Sequence, residues 1–150
     1  MMARSPKRRA RRPTRSARAT RSVPPKPSEA EQRLLALARE LAALGVDPLP
    51  RAVDLLADAY APDAPLPRAM YRASLAGRGD KTKMLALAWA REQVRMALEE
   101  ILIGSRTAVG LTAETHAWVL LAACEALAHE PPSAVADRRR ALAELTRRAH

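Results

Sequence analysis

Histidine and cysteine, two residue types that often act as metal ligands or in catalysis, are few in this chain, and their spacing does not group them. They are three histidines and one cysteine, namely His116, His129, His150 and Cys124. No histidine is followed by another ligand three or four residues later, the spacing that would place two ligands on one helix face. The Gly-x-Gly at 77–79 is too short to cradle a phosphate. The sequence therefore predicts no metal, no cofactor and no enzymatic activity.

Basic residues in one short stretch have a spacing that suits nucleic acid instead. Arg68 and Arg72 lie one helical turn apart in a segment that ends at Gly77. An arginine can donate two parallel hydrogen bonds to O6 and N7 of guanine, so two arginines on the outward face of a helix could read bases. Lys81 stands at the start of the next predicted helix, whose positive end favours a phosphate. The alternative is that all three are ordinary solvated charges.

The surrounding sequence predicts six helices and no strands, which is an all-α fold. Almost half of the residues are apolar, chiefly Ala and Leu, and there is no Phe; this composition suits close-packed helices. Prolines, glycines and capping residues predict helices over about 28–44, 50–60, 67–76, 80–104, 113–129 and 133–148. Four helices have an expected N-terminal cap: Ser28 with Glu31, Asp80, Thr112 and Ser133. Gly104 is expected to end the fourth helix in a left-handed conformation.

The longest of these helices, 80–104, is expected to organise the others. At about 1.5 Å per residue it is a rod of roughly 35 Å. It has one apolar stripe through Val94 and Leu98 and a second stripe on another side, formed by Leu85, Trp89, Met96 and Ile103. A helix that is apolar on two sides must be covered on two sides. We therefore expect one helical group at its N-terminal end and another along its C-terminal half.

The net charge of +10 belongs to the N-terminal tail. Residues 1–28 hold ten Lys and Arg and no acid, which leaves sixteen bases and sixteen acids in the rest of the chain. Residues 1–27, rich in Arg and Pro, are expected to form a disordered basic tail. Such a tail is a solvated segment, a phosphate-seeking arm or a transit peptide. One cysteine is compatible with a reducing compartment, and no apolar run is long enough to span a membrane.

The order of parts in residues 31–90 matches the helix-turn-helix plan, in which two short helices are joined by a turn and the second enters the major groove. Four segments then resemble motifs of the tetracycline-repressor-like (TetR/AcrR) transcriptional regulators: RLLALAREL at 33–41, VDLLADA at 53–59, MYR at 70–72 and DKTKML at 80–85. The resemblance continues through 91–102, 110–112 and 118–127. The chain resembles a divergent member of this family with a shortened regulatory domain.

The resemblance implies a dimeric repressor that binds double-stranded DNA and is relieved by a small apolar effector. A DNA-binding unit would span residues 28–82, and an effector and dimerisation unit would span residues 83–150. Tyr71 and Lys81 match family positions that meet the phosphate backbone, so the expected DNA contacts are Arg68, Tyr71, Arg72 and Lys81. The residues expected at the effector pocket, unless they are plain core, are Trp89, Met96 and Trp118.

A symmetric homodimer through the fifth and sixth helices is also expected. The fifth helix is apolar on nearly every side, and an apolar patch left in water invites association about a two-fold axis. The interface would be formed by Trp118, Leu121, Cys124, Leu127, Leu142 and Leu145. The alternative is that the fifth helix is the central core helix of a monomer.

Two other functions remain compatible with the sequence. The first is a non-enzymatic helical scaffold whose tail alone holds nucleic acid without sequence preference. The second is a degenerate member of the family with only a dimerisation or partner-binding role. A regulator of this kind would lie in the cytoplasm, associated with the nucleoid, and would have no membrane partner.

Overall fold

The computed structural model describes residues 26–105 and 110–146. Within these ranges the fold is all-α and has no strand, as predicted. The helices are α1 Glu29–Ala42, α2 Pro48–Ala59, α3 Pro65–Ala76, α4 Lys81–Ile103, α5 Ala113–Ala126 and α6 Pro132–Glu144, with a 3-10 turn at Leu127–His129 after α5. Predictions for residues 1–25, 106–109 and 147–150 lie outside the described residues; these include most of the tail, His150 and the predicted end of the sixth helix.

Three of the predicted helix starts are confirmed by their hydrogen bonds. Ser28 Oγ accepts from the Glu31 amide at 3.3 Å while the Glu31 carboxylate accepts from the Ser28 amide, which completes a capping box at the start of α1. Asp80 Oδ1 accepts from the Lys83 amide at 3.2 Å at the start of α4. Thr112 caps α5 in the same way. Each such cap stabilises its helix by about 1 kcal/mol.

Other predicted helix limits are wrong. Gly104 has φ −80°, a right-handed conformation, so it does not form the expected left-handed stop. Ser133 does not cap α6, because Pro132 already occupies the first helical position and Pro131 is the N-cap. Proline suits that position, since its fixed φ is helical and its missing N–H would have no partner there. For the same reason α3 begins at Pro65, two residues earlier than predicted.

Helix α4 lies at the centre of the packing. Its buried residues recur every four positions, at Ala90, Val94, Leu98 and Leu102. Helices α1 and α5 both pack against α4. Helix α2 packs against α5, α4 and α6, and α3 packs against α1 and α4. The buried apolar residues form one cluster that includes α1, α2, α4 and α5. This cluster crosses the boundary expected between residues 82 and 83, and the division into two units stays a prediction.

Two polar contacts fasten α5 to its neighbours. The Arg91 guanidinium on α4 donates to both carboxylate oxygens of Glu125, from Nε at 2.5 Å and from Nη2 at 2.8 Å. Such a two-point bond also fixes the rotation of one helix against the other. His116 is buried, and its Nε2 donates to the Leu145 carbonyl at the end of α6 at 3.0 Å. His116 therefore has a structural partner.

Candidate nucleic-acid interface

Helix α3 is anchored by its buried side and presents its arginines to solvent. Leu66 and Ala69 are buried against the core, at 4% and 3% exposure. Arg68 and Arg72 are exposed. The early start of α3 at Pro65 places Arg68 in its first full turn, so the two arginines are one regular helical turn apart. Their predicted outward position is therefore what the structure shows.

The basic residues predicted to contact DNA differ in whether they form ion pairs within the chain. Arg68 and Lys81 form no ion pair with any residue in the ranges 26–105 and 110–146. Arg72 Nη1 lies 3.6 Å from a carboxylate oxygen of Glu29 on α1, with both side chains more than half exposed. An exposed pair at this distance contributes little, so Arg72 can exchange Glu29 for another anion at small cost. Tyr71 is 67% exposed.

Two further bases belong to the same region and were not singled out from the sequence. Arg78 and Lys83 are exposed in the turn after α3 and in the first turn of α4. With them, residues 64–83, the basic segment, carry five bases and one acid, whereas residues 29–150 as a whole are neutral. The one acid, Asp80, is the N-cap of α4. The hydrogen bond that its carboxylate accepts from the Lys83 amide holds the pKa of that carboxyl below its ordinary value. A count of charge in twenty-residue windows would have found this segment.

The N-terminal tail joins the fold beside the basic segment. Lys26 and Ser28, where the tail meets α1, line the same surface cavity as Ala73, Thr82 and Lys83. The Arg72–Glu29 contact joins the same two regions. Lys26, which follows the nine bases of residues 1–25 in the sequence, therefore lies beside the basic segment.

The helix-turn-helix arrangement itself stays a prediction. Helices α2 and α3 are consecutive and are joined by residues 60–64. The main packing of α3 is against α1 and α4, while α2 packs mainly against α5, so the two helices do not pack mainly on each other.

The residues expected at an effector pocket lie on the surface. Trp89, Met96 and Trp118 are 58%, 48% and 57% exposed. Leu85 and Ile103 are also exposed, at 70% and 65%. The expectation that the second stripe of α4 is covered is therefore wrong for this chain: none of its described residues covers that side.

The residues expected in the dimer interface are mostly inside the chain's own core. Leu121 and Cys124 are fully buried, Leu127 and Leu142 are 1% and 4% exposed, and Leu145 is partly buried. Burial, with a smaller contribution from Glu125, raises the pKa of the Cys124 thiol to about 12. An interface through these four buried residues would require the chain to open.

No family model, curated protein or solved structure matches this chain. In the part of the chain that the structure describes, no group of three or more His, Cys, Asp and Glu side chains is placed to hold a metal ion. No described helix is both long and apolar enough to cross a membrane. Functional inference therefore depends on the shape and charge of the chain itself.

Proposed function

We propose that the protein is a homodimeric DNA-binding regulator, a repressor in which α3 and the basic tail hold the duplex. One observation carries the proposal: the tail is attached beside a segment of net charge +4, whereas the rest of residues 29–150 has a net charge of −4 (11 bases and 15 acids). Neutralising phosphates releases condensed counterions, so a surface of this kind gains affinity for DNA. The exposed face of α3 supplies arginines at the spacing of one helical turn, which suits a helix lying in the major groove.

Within this proposal the two kinds of basic residue have different roles. Arg68 and Arg72 read base edges, because their guanidinium groups can each donate two hydrogen bonds to one guanine. Lys81 and the tail contact phosphates, which sets the register of the protein on the duplex without reading sequence. Lys81 is the first residue of α4, where the helix dipole also favours a phosphate.

The dimer is proposed through the exposed stripe of α4. Trp89, Met96 and Ile103 are spaced seven residues apart, so they form a straight apolar seam along one side of the helix. A second copy of the same helix is the simplest partner for such a seam, because a two-fold axis lets each seam cover the other. A dimer supplies two copies of α3, one for each half-site of a palindrome.

The experiment is a comparison of two double variants of the full chain with the same loss of charge. The probe is a duplex enriched from a random library by the unmodified protein, and affinity is read by fluorescence anisotropy. Arg68→Ala/Arg72→Ala should weaken binding by about 2 kcal/mol or more and should reduce the preference for the selected duplex over a scrambled one. The control, Arg138→Ala/Arg140→Ala on α6, removes two bases that pair with Glu130 and Asp137 and should change binding little. Equal losses in both variants would contradict a role for α3.

The second candidate, a helical scaffold whose tail alone binds nucleic acid, is favoured by the number of bases in the tail. It predicts a steep fall of affinity with salt and no preferred duplex. A reader of sequence keeps its selected duplex roughly 1,000-fold or more above background. Deleting residues 1–25 separates the two: a tail-only binder loses all binding, while a reader keeps its preference at lower affinity.

A further inference from the structure

A cavity of about 430 Å³ lies among the turn after α2, helix α3, helix α4 and the end of α5. Met70 and Leu87 belong to its lining and are partly buried against the core, so they supply apolar surface. Three other lining residues, Tyr71, Ser74 and His129, are exposed. The cavity therefore opens to solvent beside an aromatic ring of α3, and its size is within the range of small-ligand sites.

Tyr71 offers this cavity an aromatic face that a ligand can cover. Tyr71 is 67% exposed, whereas Tyr60, in the same lining, is 1% exposed and belongs to the core. A nucleobase stacks on such a face whatever the sequence around it, because every base has a π-surface. Stacking of one base on an aromatic side chain raises affinity by roughly 5- to 150-fold.

The charges around the cavity fit a ligand with a neutral ring and an anionic backbone. Arg91 and Glu125, which line the cavity, hold each other through two hydrogen bonds, so the pair adds no net charge to it. Arg68 and Arg72 are exposed on α3, the first three residues before Tyr71 and the second next to it. Residues three apart are neighbours on a helix surface, so positive charge lies beside the aromatic face. A nucleotide has the same division, with an uncharged base and a charged phosphate.

We infer that this cavity binds an unpaired base of a single-stranded nucleic acid, with the base stacked on Tyr71 and its flanking phosphates at Arg68 and Arg72. In a duplex both faces of a base are covered by its neighbours, so only an unpaired base presents a face to Tyr71. Ser74 and the Arg91 guanidinium, which also line the cavity, can donate to acceptor atoms on the edge of the base. The inference goes beyond the proposed function, which concerns duplex DNA held by the same helix.

The test compares two single strands that carry the same charge. One is a fluorescent oligothymidine of about 15 nucleotides, and the other is an oligomer of equal length whose sugars carry no bases. Affinity for the full chain is read by anisotropy at physiological salt, where contacts to phosphates contribute equally to both strands. The unmodified protein should bind oligothymidine about tenfold more tightly than the abasic strand, the effect of stacking one base. Equal affinities would overturn the inference.

The same comparison with oligouridine distinguishes the two sources of an unpaired base. Tyr71, Arg68 and Arg72 contact the base and the phosphates, which DNA and RNA share. A tenfold preference over the abasic strand should therefore appear with oligouridine as well as with oligothymidine. A preference for bases in neither strand would overturn the inference.

Three variants locate the stacking face. Tyr71→Ala should lose the preference for bases and keep its affinity for the abasic strand, whereas Tyr71→Phe should keep the preference, because the ring is what stacks. Trp118→Ala is the control, since it removes an exposed aromatic ring of α5 outside the basic segment. Circular dichroism melting checks that all three fold. A Tyr71→Ala protein that keeps the tenfold preference would overturn the site, as would an equal loss in Trp118→Ala.

A competition experiment separates this site from the proposed function. Oligothymidine should displace the selected duplex from the unmodified chain at lower concentration than the abasic strand does, because both ligands use the arginines of α3. A chain that prefers oligothymidine to the abasic strand but binds no selected duplex would contradict the proposed function and support the site. A chain that binds its duplex but does not distinguish the two single strands would overturn the site and leave the proposed function.

Discussion

Replacing Trp89 by alanine tests the proposed seam. Trp89 is 58% exposed in the isolated chain, so more than half of its surface is open to a partner. The chain already covers the other 42% (100 − 58), about 60–100 Å² at about 25 cal/mol per Å², so the substitution is expected to lower the free energy of unfolding by about 2 kcal/mol without unfolding the chain. Leu121→Glu would not serve, because Leu121 is fully buried and a carboxylate there would unfold the chain instead of reporting on association.

The expected effect on association follows from the exposed area of Trp89. A tryptophan buries about 150–250 Å², so 58% exposure leaves about 100 Å² per copy for a partner to cover. At about 25 cal/mol per Å², two copies contribute up to about 5 kcal/mol to the dimer. Ordering of the side chains reduces this value, so we expect the dissociation constant to rise by about 100-fold or more.

Sedimentation equilibrium measures both the mass and its concentration dependence. The unmodified chain should approach about 33 kDa, twice its 16.4 kDa, at micromolar concentration. Trp89→Ala should remain near the mass of one chain over the same range. Val46→Ala is the control, because Val46 is 93% exposed and lies outside the helices. A Trp89→Ala protein that stays dimeric would refute the seam, and a persistently monomeric unmodified chain would refute the dimer.

Two further predictions concern the tail and the pairing of α4 with α5. Deleting residues 1–25 should leave the melting temperature unchanged, since the Ser28 cap is kept, and should flatten the salt dependence of DNA binding by about 0.9 units for each phosphate that the tail neutralises. A deletion that lowers the melting temperature would show that the tail packs on the fold. A double-mutant cycle of Arg91→Ala and Glu125→Ala in urea should give a coupling of about 1–2 kcal/mol, because the pair is two-point but a quarter to a third exposed. A coupling near zero would show that packing alone holds α5 to α4.

Helix starts were largely predictable because they depend on neighbouring residues. The Ser28–Glu31 capping box and the Asp80 cap each form between residues three positions apart. Because no distant residue takes part, both caps can be predicted from the sequence. The start of α6 was predicted wrongly because two neighbouring residues could each begin the helix. Pro132 displaced Ser133 because a proline at the first helical position begins the helix one residue earlier.

The exposed and buried sides of the central helices were not predictable in the same way. Leu98 and Met96 have similar hydrophobicity in the sequence, yet one is fully buried and the other is 48% exposed. An apolar pattern on two sides of a helix indicates that both sides favour contact with other apolar groups. It does not indicate which side is covered by the chain's own helices. In the same way, Leu121 on α5 was expected to face a partner and is covered by the chain's own helices.

The sequence by itself determined that the chain is helical, where most helices begin, and that Arg68 and Arg72 share one outward face. These properties depend on spacings of three or four residues, which a helix converts directly into positions. Only the tertiary structure decided that Lys26, where the tail meets the fold, lies beside Lys83 and that Tyr60, Arg91 and Glu125 line one cavity. Such groupings join positions 31 to 65 residues apart, and they depend on which helix faces pack together.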